Sequence, residues 1–244
     1  ELAANWFRST EANTMPVPSP PDITKHIMAL PASDWGLPQL NGLVETPTLR
    51  QDGTILWSRG YDAQSWLYCL PDETLGDMDP LPDIISEFDC DDAIHLIDET
   101  ICDFPFEDDA SRANFYALLL TPILRRSYDG CTPLALIDAP AAGTGKTLLT
   151  DVFSVITSGR DASKMSFPKD EAELHKTVGS VLYAGGSQVI FDNVSGIISH
   201  PALALALTTM VFPFRILGIS RMAEPENRAT WIANGNQLHP GGDM

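Results

Sequence analysis

The 244-residue chain has no C-x-x-C pair among its four cysteines, and no histidine stands at ligand spacing from Cys69, Cys90, Cys102 or Cys131. A zinc site is therefore not expected. Spacing alone leaves disulfides open, and free thiols in a reducing cytoplasm are the expectation. Long apolar runs are also missing. The run "PALALAL" from Pro201 falls far short of the ~20 residues that cross a membrane, so no membrane association is expected. No charged-then-apolar leader stands at the front, and the chain begins with Glu1 and stops in "HPGGDM". A fragment or a processed product is the reading.

Basic residues are scarce in the first half. Residues 1–109 carry 22 acidic and 4 basic side chains, whereas residues 110–244 carry 11 of each, so the net charge of −18 belongs wholly to the front. Residues 72–109 hold fifteen carboxylates with no Lys or Arg. Such a segment reads as a solvated face, a patch for a basic partner, or a screen against nucleic acid. The acidity is not a property of the second half, where the sequence changes character.

"TMPVPSPPD" at residues 14–22 reads as a linker that is neither helix nor central strand, within a flexible lead-in over 1–32. Residues 33–109 form an acidic, β-rich accessory segment, with a hairpin signalled by Asp52-Gly53 and a further strand in "GYDAQSWLYCL". "FPFEDDASRANFYALLLTPILRR" predicts a helix, kinked or broken at Pro122, whose Arg125 and Arg126 complement the dipole at its end. From there strand and helix alternate: "PLALID", "KTLLTDVFSVITSG", "KMSF", "KDEAELHKTVGSVL", "SQVIFDN", "HPALALALTTM" and "ATWIANG". This order predicts an α/β fold with an open, mostly parallel sheet and helices on both faces over 110–244.

Between the first of these strands and its helix lies "PAAGTGKT". The pattern G-x-x-x-x-G-K-[ST] supplies backbone amides that curl around phosphate, a lysine for the β- and γ-phosphates and a hydroxyl for Mg²⁺. Here Pro140 replaces the first glycine, and Ala141, Ala142, Gly143, Thr144, Gly145, Lys146, Thr147 and Leu148 complete a candidate ATP site. Proline at the first position turns the chain out of the strand, while the amides that grip phosphate come later. Asp192, ending the run "QVIF", is the candidate second metal residue beside Thr147. Asn193 follows where a glutamate base is common, and a neutral amide orients water without taking its proton. Glu171 and Glu173 are candidates for that base. Asn236, or next Asn234, is the candidate contact to the γ-phosphate, with an Asn-Gly turn as the plain rival.

Together "LIDAPAAGTGKTLL", "VIFDNV", "FRILGIS" and "TWIANGNQLHPGGDM" resemble the ATPase module of phage and mobile-element primase–helicase proteins, near the superfamily 3 helicases of the AAA+ class. The resemblance spans roughly residues 35–244. It implies a P-loop NTPase fold, a three-layer sandwich preceded by a small acidic β/α segment, and a homo-oligomeric, hexameric ring acting on DNA in replication. It implies ATP and Mg²⁺ held by Lys146, Thr147 and Asp192, with Asn236 as sensor. An arginine finger, normal just past a "GGDM"-like end, is not reached before Met244. "FRILGISRMAEPENRATWIANG" reads as strand, "AEPEN" turn, strand. The resemblance implies that a hairpin at this place grips nucleic acid, with Arg221 and Arg228 flanking the turn. The rival is an outer hairpin of balanced charge, whose Glu224 and Glu226 repel phosphate. Against that motor stand a switch or loader that remodels a protein partner, a small-molecule kinase, and a nucleotide-free structural domain. Missing clustered lid arginines disfavour the kinase, and intact Gly145-Lys146-Thr147 disfavours the structural domain.

Overall fold

The computed structural model describes residues 6–10, 13–31, 34, 36–73, 84–141 and 143–241. Contacts divide the chain into two compact units, Glu1–Leu40 and Asn41–Met244. In the first, β1 (Trp6–Thr10) pairs antiparallel with β2 (Asn13–Val17), and α1 (Pro21–Ala29) follows. Residues 14–22, expected to be a linker that is neither helix nor central strand, hold a non-central strand and the start of a helix. A two-stranded ladder is all edge, where strand prolines such as Pro16 are tolerated. Pro21 opens α1, where its missing N–H would have had no helical partner.

The second unit starts with five short strands: β3 (Gly42–Val44), β4 (Thr48–Leu49), β5 (Ile55–Leu56), β6 (Gly60–Asp62) and β7 (Leu67–Cys69). Strands β4 and β5 form the hairpin that Asp52-Gly53 signals: Gly53 takes φ 84°, and the Asp52 carboxylate accepts from the Thr54 amide at 2.9 Å. The expected single strand in "GYDAQSWLYCL" is two. Asp62 closes a turn between β6 and β7 by accepting from the Ser65 amide, and Trp66 sits at φ 59°. Val44, Leu56, Leu67 and Cys69 fill a small core of their own.

Two helices bridge to the main body. Ser86 and Asp89 form a capping box at the start of α2 (Glu87–Ile101), and the Asp108 carboxylate caps α3 (Asp109–Leu124) through the Ser111 amide. Helix α3 runs through Pro122 and ends two residues later, so the expected break falls at Leu124.

The main sheet contains β8 (Leu134–Ala139), β9 (Lys164–Ser166), β10 (Gln188–Ile198) and β13 (Thr230–Pro240), all parallel, in the order β8-β13-β10-β9. The intervening helices are α4 (Lys146–Ser158), α5 (Glu171–Tyr183) and α6 (Pro201–Thr208). Period-two alternation divides the strand side chains between the faces. Val189, Phe191, Trp231 and Ala233 pack on Leu174 and Val178 of α5 and Leu203 of α6, while Ile190 and Ile232 pack on Phe115 of α3 and Phe153 of α4. The result is a sheet between two helical layers, the α/β arrangement that strand–helix alternation predicts.

A short hairpin, β11 (Phe214–Arg215) and β12 (Met222–Ala223), precedes β13 and lies against α5 at Gly179, where a Cβ would come within 2.3 Å of the Phe214 ring. Its turn is at residues 216–221, not at "AEPEN". Gly218 supplies φ 80°, and the Arg221 carbonyl accepts from the Ile216 amide. Pro225 accepts instead from the Phe212 amide, and the Asn227 side chain donates to the carbonyls of Ala206 and Thr209 at the end of α6. These bonds hold the "AEPEN" segment down against the core rather than projecting it.

Candidate functional site

The loop after β8 turns on two glycines in left-handed backbone, Gly143 at φ 80° and Gly145 at φ 87°, and α4 begins at Lys146. No side chain caps this helix start, so its first amides and the positive end of its dipole face the loop. Lys146 Nζ reaches back over the turn, donating to the Ala141 carbonyl at 2.9 Å and to Thr144 Oγ1 at 3.1 Å. Pro140, Ala141 and Gly143 are exposed, as are Thr147 and Leu148 on the first turn of α4; Thr144, Gly145 and Lys146 are half-buried. Ala142, also expected at this site, lies outside the described residues.

Two strands over, β10 brings Asp192 to the same edge. Thr147 Oγ1 donates to Asp192 Oδ1 at 3.2 Å, across 45 positions of sequence. Asp192 itself pairs in register with Ser166 of β9. Directly after it the ladder breaks: Phe191 faces Ala233 and Val194 faces Gly235, so two residues of β10 oppose one of β13. This is a bulge, and Asn193 takes it up at φ 56° with its side chain in solvent. Gly235 is obligatory opposite the bulge, because a Cβ there would lie 1.9 Å from the Val194 carbonyl oxygen.

The bulge leaves the Asn193 amide without a ladder partner, and the Asn234 side chain supplies one. Asn234 Oδ1 accepts from Asn193 N at 3.1 Å, and Asn234 Nδ2 donates to Thr150 Oγ1 at 3.1 Å. Thr150 Oγ1 in turn donates to the Lys146 carbonyl at 3.0 Å. Asn234 and Thr150 are each 1% exposed or less. One buried chain of bonds therefore ties the backbone beside Asp192 to the first turn of α4. The sequence ranks Asn236 above Asn234; the structure gives this linkage to Asn234. Asn236 stands beside Ala139 at the mouth of the loop, and its Oδ1 is buried with no partner among the described residues. Thr150 escapes the motif reading altogether. Its signal is a hydroxyl four positions after Lys146, on the same side of α4.

The candidate bases are engaged elsewhere. Glu171 accepts from His200 Nδ1 and from the Ala202 amide at the start of α6, and Glu173 pairs with Lys176 at 2.7 Å. The two candidate nucleic-acid arginines part company. Arg221 is exposed at the base of the hairpin turn. Arg228 is tied to Glu226 at 2.7 Å, Asp129 at 3.1 Å and the Tyr128 carbonyl at 2.9 Å, and does not flank the turn. The turn instead exposes Leu217 and Ile219.

No known family profile matches this sequence, and neither does any curated protein. Among solved structures, the chain is similar to the A-form apo structure of the C-terminal region of NrS-1, at 17% identity and a TM-score of 0.44, over 96% of this chain and 51% of that one. The chain thus spans about half the length of the NrS-1 region. Among the described residues, no helix is long and apolar enough to cross a membrane.

A cavity of about 930 Å³ opens beside the loop, lined by Phe104, Phe106, Pro140, Thr144, Lys146 and Leu149 among others. Phe104 closes on the loop itself: a Cβ on Gly145 would lie 3.4 Å from its ring. Apolar walls, a lysine and an uncapped helix start thus meet at one place, beside a hydroxyl–carboxylate pair.

Proposed function

We propose that residues 140–147 are a phosphate-binding loop and that the chain is the ATPase module of a DNA-replication motor from a phage or mobile element. The observation that carries this reading is the Thr147–Asp192 contact at 3.2 Å. A hydroxyl and a carboxylate from two different elements converge beside a lysine that is folded over its own loop.

The residues present fit the groups the reading needs. Mg²⁺ takes one or two protein oxygens and completes its shell with phosphates and water, and Thr147 and Asp192 are two such oxygens. When bound, the ion neutralises charge on the phosphates. Lys146 would exchange its bonds to Ala141 and Thr144 for phosphate oxygens, and the uncapped start of α4 would face the same anion. The 930 Å³ cavity has room for a nucleoside. Asn236, with its unpartnered Oδ1, would orient the attacking water, while Asn234 holds the bulge that sets the position of Asp192. Glu171 and Glu173 are less suited to act as base, since each already has partners.

The hairpin favours keeping a second reading. Its turn carries Leu217 and Ile219, and Arg228 is paired away, which suits an apolar protein surface better than phosphates. On that reading the chain is a switch or loader that remodels a protein partner. ATP hydrolysis with and without single-stranded DNA separates the two. Stimulation by DNA that is lost in Lys146→Ala supports the motor in its expected hexameric ring. Lys146-dependent hydrolysis indifferent to DNA supports the switch, and hydrolysis that survives Lys146→Ala overturns both.

A further inference from the structure

Two exposed apolar surfaces of the second unit lie outside the loop site. The first is the outer face of α2. Ile97 and Ile101 turn inward to the core shared with α3 and α4. Phe88 and Leu96 point away from it and are 71% and 66% exposed, and Ile84 and Ile85 stand bare just before the helix. Asp92 lies between Phe88 and Leu96, four residues from each, and Glu99 follows three residues on, with His95 beside them on the same side. Asp92 and Glu99 are exposed and have no ion pair among the described residues. Residues 72–109 supply no Lys or Arg to answer them.

The second surface is the turn of the β11–β12 hairpin. Phe214, Ile216 and Ala223 hold the hairpin to the core on α5 and α6, while Leu217, Ile219 and Met222 are each more than half exposed. Arg215 and Arg221 bracket the turn. Arg215 donates to Ser220 Oγ at 3.1 Å, and the Arg221 guanidinium has no partner among the described residues. The turn shares a cavity of about 900 Å³ with Asp170 and Glu171 at the start of α5. Both carboxylates are already engaged, Asp170 by the Glu173 amide and Glu171 by His200 and the Ala202 amide. Glu224 lies beyond β12.

The two surfaces match: apolar anchors stand among carboxylates on one and between guanidinium groups on the other. They do not meet within a chain. Helix α2 belongs to the layer with α3 and α4, the hairpin to the layer with α5 and α6, and the sheet stands between. We infer that the hairpin turn of one copy docks on the outer face of α2 of a second copy. Leu217 and Ile219 cover Phe88 and Leu96, and Arg215 and Arg221 face Asp92 and Glu99. A second copy is the occupant because the chain itself carries both halves of the match. Opposite local charge also offsets the repulsion between two chains of net charge −18. The contact uses a different surface on each copy, so copies add in series and close into a ring or run on as a filament. A contact of one turn and one helix face belongs to the weak class, and it needs no nucleotide.

Sedimentation of the full chain without nucleotide, over a range of concentrations, tests this. The average mass is expected to rise with concentration. Leu217→Ser/Ile219→Ser and Phe88→Gln/Leu96→Gln each remove the anchors of one surface, at exposed positions where the fold and its Tm are expected to hold. Each variant alone stays a monomer. Mixed in equal amounts the two form pairs that grow no further, because each supplies the surface the other has lost. Arg221→Glu weakens assembly about tenfold or more. A parent chain that stays monomeric overturns the inference and leaves the two surfaces to other partners. Assembly of either double variant alone, or a mixture that does not pair, overturns it too and marks a contact through some other surface.

Discussion

Asn234 decides more of the site than its position in the sequence suggests. It satisfies the amide that the bulge at Asn193 would leave bare, and it does so from inside the core. Replacing it with alanine strips two buried groups of their partner, a loss of about 1–3 kcal/mol, which urea unfolding will read as a lower midpoint. On the proposed function the same variant also lowers ATP turnover more than ATP affinity, because Asp192 shifts while Lys146 stays. Asp62 makes a separate prediction. Its two bonds from Arg50, helped by Ser65, hold its carboxyl down at about 2. A carboxylate lowered on folding adds stability that is full above its unfolded pKa of ~3.9 and is lost as pH falls from there toward 2. Asp62→Asn is therefore expected to flatten that part of the Tm–pH curve relative to the parent, and to leave the protein less stable at pH 7. An unchanged acid limb in the variant contradicts this.

Among the elements, the apolar runs "VIFDN" and "TWIANG" are legible because a strand buried on both faces writes itself as continuous hydrophobicity, and "PLALID" shows the same run although it lies at the edge of the sheet with Leu136 exposed. Helix α4 is legible at both ends, since Gly145 and Gly159 are both needed at positive φ. What those patterns do not hold is the relation between neighbouring strands. The bulge after Asp192 depends on Gly235, in another strand, so the buried linkage made by Asn234 stays invisible until the strands are paired. The hairpin misleads for a similar reason. "AEPEN" has turn chemistry, yet its Pro225 and Asn227 are spent on α6 and the Phe212 amide, and the turn goes to Gly218. Gly235→Ala tests the bulge: its Cβ would meet the Val194 carbonyl, and a loss of about 1–3 kcal/mol or more is expected in urea unfolding. A neutral outcome would mean that β10 and β13 pair without the bulge. Arg221→Ala tests the hairpin on the motor reading, with DNA stimulation reduced and hydrolysis without DNA unchanged.

For the whole molecule, the distribution of charge matters more than its sum of −18. The carboxylates of residues 72–109 precede the main-sheet strands in sequence, whereas the loop after β8 is served by Lys146 and an uncapped helix start, which together invite an anion. On the proposed function this anion is a nucleoside triphosphate with Mg²⁺. Equilibrium titration of the chain with Mg–ATP, beside Lys146→Ala, tests it most directly. Losing a charge-assisted bond to phosphate costs about 1.5–3 kcal/mol, so the account predicts saturable binding that weakens roughly tenfold to a hundredfold in the variant. Binding of equal strength in the two proteins, or none in either, would contradict it.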